Sequence, residues 1–208
     1  MTHTKRVSSF FLAFFVWVLP SLSGASIEVK LQTDPNFPVL EKICIRGYEE
    51  SYKSIALEIL KADSLEAYAK RIFSALIVRP LEDQRDAAFL LTASDTETHQ
   101  VLGFAHFMRE GPEGSHAYYL KLIVVDPTHQ RRGIGKLLLF GIREIDPLTH
   151  TLRFDARKLN TRAVTWYRRL GFQDDPTAID DAATADDFLG FRIEFPPRTE
   201  FLPPPPET

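Results

Sequence analysis

The sequence predicts an α/β fold built on one mixed sheet, and three observations predict it. Short runs of alternating apolar and polar residues read as strands. Longer runs with helical spacing stand between them. The order is βαα, then βββ, then αβαβ. A single domain over 26–195 is expected, with six to seven strands and about four flanking helices; 208 residues suffice for one such core and are short for two.

Each element follows from local chemistry. "SIEVKL" alternates and reads as the first strand. After the turn-rich "DPNFP", Val39, Leu40, Ile43 and, less regularly, Ile45 mark the first helix. Asp63 to Val78 reads as the second, with Asp63 as N-cap, Glu66 completing a capping box, and Arg79-Pro80 as the stop. "AAFLLTAS" and "VLGFAHFMRE" read as a hairpin across "DTETHQ". "HAYYLKLIVVD" is a third strand, closed by Asp126-Pro127. Gly133 to Ile145 is helical, with Ile134, Leu137, Leu138, Ile142 and Ile145 on one face. Gly141 shares that face; an interior glycine costs about 1 kcal/mol, so close packing on the sheet is its expected reason. "TLRFDA" is the next strand. Asn160 to Leu170 is a short helix, capped by Asn160 and stopped by Gly171 and Phe172 in a Schellman pattern. "DFLGFRIEF" is the last strand, and the Pro-rich 196–208 reads as an extended, exposed tail.

Residues 1–25 differ in kind. Lys5 and Arg6 precede an apolar run from Phe10 to Leu19, a break at Pro20, and the small residues Ser23, Gly24 and Ala25. This is the pattern of a secretory signal peptide, removed after Ala25; left uncleaved, it would be an anchor and the protein's one membrane contact. A formal charge of −3 argues against a nucleic-acid-binding surface over the whole protein. The lone Cys44 excludes an intrachain disulfide and a cysteine-rich metal site, and the six histidines form no HxxxH or HExxH pair, so no metal is expected.

The informative stretch is "HQRRGIGK", 129–136, set between a strand and a helix. Unpaired N–H groups at a helix start, two glycines and three basic residues make an anion site by geometry. A Walker A loop is excluded by Gln130 and Leu137, and a dinucleotide loop by Leu138. Q/RxxGxG/A fits as Gln130-Arg131-Arg132-Gly133-Ile134-Gly135. A second motif, "NTRAVTWYRRLGF" from Asn160 to Phe172, places Asn160 and Tyr167 on one helical face. Together the two segments resemble the GNAT acetyltransferase superfamily: "VVDPTHQRRGIGKLLL" matches its pyrophosphate-binding motif, and the second segment its helix with Asn, Tyr and a terminal Gly-Phe.

That resemblance implies the GNAT fold, acetyl-CoA as co-substrate, and an N-acetyltransferase in which an amine attacks the thioester directly. It implies that the backbone of Ile123, Val124 and Val125 binds pantetheine. Arg131, Arg132, Gly133, Ile134, Gly135 and Lys136 would hold the pyrophosphate, chiefly through backbone N–H groups. Asn160 would contact the pantetheine arm besides capping its helix. Tyr167 would be the general acid for the departing thiolate, or else a packed aromatic beside Ala163 and Leu170. Asp155 would be the general base, where ribosomal-protein alanine N-acetyltransferases have a glutamate; otherwise it is a strand-end carboxylate paired with Arg153 or Arg157. His116 and Glu110 are the other candidate bases.

The acceptor implied is a primary amine of a small molecule or a protein, selected by the first helices and by "DDPTAIDDAATADD". The six aspartates of that loop would suit a cationic acceptor, and equally a solvated surface. A homodimer is an assembly open to such a domain. The alternative function is a non-catalytic acyl-CoA-binding or interaction module on the same scaffold. Two expectations of place conflict: a working signal exports the protein to periplasm or medium, whereas acetyl-CoA is cytoplasmic.

Overall fold

The computed structural model describes residues 17–19, 26–179 and 182–198. Its strands are β1 (Trp17–Leu19), β2 (Ile27–Leu31), β3 (Ala88–Asp95), β4 (Val101–Glu110), β5 (Ala117–Val125), β6 (Thr151–Arg157), β7 (Gln173–Asp174) and β8 (Phe188–Glu194). They form one sheet in the order β1-β2-β3-β4-β5-β6-β8-β7. Every pair is antiparallel except β5 with β6. The mixed α/β sheet is as expected, with seven strands after residue 26. The expected leader lies outside the described residues except for Trp17–Leu19, which pair with Ile27–Val29 at the sheet edge.

The helices are α1 (Phe37–Tyr52), α2 (Leu57–Leu60), α3 (Leu65–Phe73), α4 (Arg79–Asp83), α5 (Ile134–Phe140), α6 (Ile142–Ile145) and α7 (Thr161–Arg169). Strand alternation divides the core between the two faces of the sheet. On one face Leu90, Phe104, Leu122 and Val124 pack against Leu40 and Ile43 of α1 and Phe73 of α3. On the other, Leu91, Ala105, Phe107 and Phe154 meet Ile134, Leu138 and Ile142 of α5 and α6 and Val164 of α7. Each such Leu, Ile, Val or Phe side chain contributes about 1.5–3 kcal/mol by leaving water. Among the described residues no helix is long and apolar enough to cross a membrane.

Four local expectations are corrected. Ser64, not Asp63, caps α3: its hydroxyl accepts the Ala67 N–H at 3.0 Å. Arg79-Pro80 does not end the helix. Ser74–Val78 widen into a π turn in which the Arg79 N–H bonds Ser74 O, and α4 follows with Pro80 in its first turn. Pro80 has no N–H for the carbonyl of Leu76, and the ring of His106 takes that carbonyl instead, with Nδ1 at 2.6 Å. The helix expected over 133–145 starts at Ile134 and breaks into α5 and α6 at Gly141. A Cβ there would stand 3.0 Å from Leu91 Cδ1 and 3.3 Å from Val29 Cγ1, so the packing reason for this glycine holds. The tail begins by packing rather than by projecting: Arg143 donates to Pro196 O at 2.9 Å, and Arg198 pairs with Glu144.

Candidate active site

The site begins as a defect in the sheet. β5 and β6 pair in parallel only at Ala117↔Thr151, Tyr118↔Leu152 and Tyr119↔Arg153. Beyond Tyr119 the strands separate, and a cleft of about 740 Å³ opens between them. A bulge contributes to the divergence. His106 pairs with Leu122 and Phe107 with Leu120, so Lys121 is the extra residue on β5, and a bulged strand bends and twists away.

Ladder alternation decides which backbone groups face the gap. The Asp126 N–H bonds Leu102 O in β4, so the groups of Val125 and Ile123 point the other way, toward the cleft. Val124 is therefore turned to β4, which corrects its expected backbone role. Its side chain instead packs on α1, where a Cβ on Gly47 would stand 2.5 Å from Val124 Cγ1. The Val125 carbonyl already accepts from Gln130 Nε2 at 3.1 Å. What remains facing the gap is the Ile123 peptide edge and the Val125 N–H.

The loop after β5 is pinned at both ends. Asp126 is buried and accepts from Thr128 N at 3.0 Å, from Thr128 Oγ1 at 2.7 Å, and from Arg46 of α1. Burial alone would raise its pKa, but the donors from Thr128 and Arg46 outweigh burial and hold the carboxyl below its usual range. Gln130 bridges the loop to α7 by accepting from Arg162. Between these anchors Arg131 (φ 64°) and Gly133 (φ 81°) are left-handed. Loops of this kind gather successive N–H groups into a concave anion site. Arg131 and Lys136 line the cleft, joined by Arg162 and Arg169 of α7.

Two loop expectations change. The Arg132 side chain leaves the cleft and meets His129 Nδ1 at 3.1 Å. Gly135 is open to the cleft, yet its missing side chain makes room for a protein group: a Cβ would lie 3.2 Å from Trp166 Cζ2. Ile134 is anchored in the core with 1% exposure, so only its backbone reaches the loop surface.

α7 carries the second motif as expected. The Asn160 side chain accepts from Ala163 N at 3.1 Å, and Phe172 N bonds Tyr167 O while Gly171 N bonds Arg168 O, which is the Schellman stop. Asn160 and Tyr167 both line the cleft. Tyr167 is packed and lines the cleft at once. Its ring lies 4.4 Å from Phe154 and 5.6 Å from Phe191, and among the described residues nothing is hydrogen-bonded to its hydroxyl. Burial, and then Tyr52, push the Tyr167 phenol well above 10. Asp155 lines the cleft from β6 and is the sole carboxylate among its described lining residues. Arg153 is engaged by Thr177 O and Glu110, and Arg157 by the Tyr68 hydroxyl. His116 and Glu110 do not line this cleft: His116 bonds Asp146 at 2.7 Å, at the other end of β5.

The wall opposite α7 holds residues that sequence reading missed. Tyr48 and Tyr52 of α1 stack on each other, Tyr68 of α3 meets both edge-on, all with ring centroids within 6.0 Å, and the three line the cleft. Burial and mutual proximity raise Tyr48 strongly and Tyr52 to about 12; Asn160 and Arg157 pull Tyr52 partly back. Tyr48 and Tyr52 sense Tyr167 across the gap. The helical i, i+4 spacing of Tyr48 and Tyr52 was the available signal. Among the described residues no group of three or more His, Cys, Asp or Glu could hold a metal ion.

With this geometry in hand, residues 85–174 match the family model of the acetyltransferase (GNAT) domain, a span containing β5, the loop, β6 and α7. Solved structures share the fold at low identity. The PaiA N-acetyltransferase of Thermoplasma acidophilum, determined in complex with coenzyme A, is 17% identical over 81% of this chain and 99% of that chain, with a TM-score of 0.60. An acetyltransferase from Thermus thermophilus is 14% identical over 81% and 97%, TM-score 0.57. The acetyltransferase from Agrobacterium tumefaciens is 16% identical over 90% and 100%, TM-score 0.54. No curated protein matches the sequence. The fold is the GNAT fold.

Proposed function

We propose that this protein is an N-acetyltransferase that moves the acetyl group of acetyl-CoA to a primary amine within a ternary complex. One observation carries the reading: a cleft between parted parallel strands, with a left-handed, basic loop at one end and Tyr167 in its lining. The residues present fit coenzyme A. The outward N–H and C=O of Ile123 and the Val125 N–H offer a strand edge for the amide groups of pantetheine. The left-handed loop at Arg131 and Gly133, with Lys136, Arg162 and Arg169 around it, suits a pyrophosphate.

When bound, acetyl-CoA supplies the thioester; the amine nitrogen forms the new C–N bond as the C–S bond breaks. Asp155 accepts the ammonium proton, directly or through one water, so that the nitrogen has a free pair. Tyr167 donates its phenolic proton to the departing sulfur and takes back the proton that the nitrogen loses as it becomes an amide, while Asp155 releases its own proton to solvent. A phenol held well above 10 stays protonated at neutral pH and can perform this step.

Acetyl-CoA with a panel of amines, followed by thiol release, tests the reading. Turnover by the wild type and its loss in Tyr167→Phe support it. CoA binding without turnover on any amine would favour a binding module, and no CoA binding would refute the loop assignment. Export by residues 1–25 remains part of the proposal; N-terminal sequencing of the secreted protein checks cleavage after Ala25.

A further inference from the structure

Arg157, the last residue of β6, has a setting that acetyl transfer does not explain. Strand alternation puts its side chain on the same face as Asp155, opposite Phe154 and Ala156, which join the α7 layer. It lines the cleft against the tyrosine wall. Its Nε donates to the Tyr68 hydroxyl at 3.0 Å, and its guanidinium lies 5.7 Å from the Tyr68 ring and 5.0 Å from the Phe188 ring. Its Nη1 is buried, and among the described residues it has no hydrogen-bond partner. A buried guanidinium donor with no acceptor is costly, and a guanidinium immobilised between rings presents its fork pre-organised for a carboxylate.

The charge around it agrees. Asp155 is the single described carboxylate lining the cleft, against six basic side chains. The described aspartates of the acidic loop do not reverse this balance. Asp174 is paired with Arg168 at 2.8 Å, Asp175 caps its own turn through Thr177, and neither lines the cleft. The described residues thus give a cationic acceptor little to bind.

We propose that the acceptor is an amino acid with an apolar or aromatic side chain, its carboxylate held by Arg157 and its amine directed to Asp155. This rests on the N-acetyltransferase reading. Residues two apart on a strand share a face with their Cα atoms about 6.6 Å apart, so Asp155 and Arg157 offer a carboxylate and a guanidinium to one small molecule. Tyr48, Tyr52, Tyr68 and Phe188 supply an apolar wall with polar tips for the side chain.

The test is calorimetric titration of the full chain with the N-acetyl derivatives of phenylalanine, tyrosine and methionine. Each is offered as the free acid and as the uncharged amide, with and without saturating CoA. The wild type is expected to bind at least one acid about tenfold or more tighter than its amide, the usual scale of a charge-assisted pair. Arg157→Gln abolishes that preference, and Arg157→Lys, which keeps charge but loses the fork, restores part of it. Thermal unfolding reports whether the variants fold; if they do not, the wild-type comparison of acid with amide still decides. Equal binding of acid and amide, binding of neither, or a preference that survives in folded Arg157→Gln overturns the proposal. A protein that binds CoA yet shows no preference loses this inference and keeps the acetyltransferase reading. One that prefers the acid but does not bind CoA holds a carboxylate site that is no acceptor site, which overturns the proposal from the other side.

Discussion

Tyr167→Phe removes one oxygen and keeps the ring, so its consequences can be separated. The ring keeps its contacts with Phe154 at 4.4 Å, Phe191 at 5.6 Å and Phe172 at 6.2 Å. The hydroxyl has no hydrogen-bond partner among the described residues, so folding should change by less than about 0.5 kcal/mol. CoA affinity should be unchanged, because its proposed binding groups are the loop and the strand edge. The chemical step should slow by about 10²–10⁴-fold, the usual worth of a positioned general acid. The assay is thiol release under single-turnover conditions, where product release cannot mask the chemistry. pH adds an independent check. Burial keeps the phenol protonated past 10, so the wild-type rate should show no alkaline decline from this group at or below pH 10. A folded, CoA-binding Tyr167→Phe protein with wild-type single-turnover rates would refute the acid role.

Three further outcomes are expected. Arg162→Ala removes one cation lining the loop end of the cleft and the partner of Gln130; CoA should bind more weakly, with a shallower dependence on salt, in equilibrium titration. Gly47→Ala places a Cβ 2.5 Å from Val124 Cγ1 and must push α1 from β5; a loss of about 1–3 kcal/mol is expected in denaturant unfolding, and an unchanged stability would contradict the packing. His106 is fully buried, and burial, the largest cause, lowers its pKa to about 4 from 6.5. The unfolded chain binds this proton first as pH falls, so the contribution is complete above pH 6.5 and is lost between 6.5 and 4. The order of magnitude is about 3 kcal/mol, and the loss should vanish in His106→Gln followed by urea unfolding across that range.

What could be read from the sequence was the part built from contiguous residues. A left-handed Gly133 before a helix, and an Asn160 cap with a Gly171-Phe172 stop, are local solutions to local backbone problems. They place the loop and Tyr167 without knowledge of the rest. The parting of β5 from β6 could not be read, because it depends on a bulge at Lys121 and on where pairing stops. The tyrosine wall and Arg157 come from α1, α3 and β6, and only tertiary packing brings them to one cleft. Pro80 misled for a related reason. A proline ends a helix unless the carbonyl it strands finds another donor, and the donor is His106, on a distant strand. Arg132 looked equivalent to Arg131 in sequence, but the local pairing with His129 turns it outward.

The most direct measurement is a crystal structure of the full chain grown with coenzyme A. The pyrophosphate should lie within hydrogen-bond distance of backbone N–H groups between Arg131 and Lys136. The pantetheine should run along Ile123 and Val125 in the gap, and the sulfur should reach the Tyr167 hydroxyl. Coenzyme A bound on another face, or a gap left without it at saturating concentration, would contradict the assignment of this cleft.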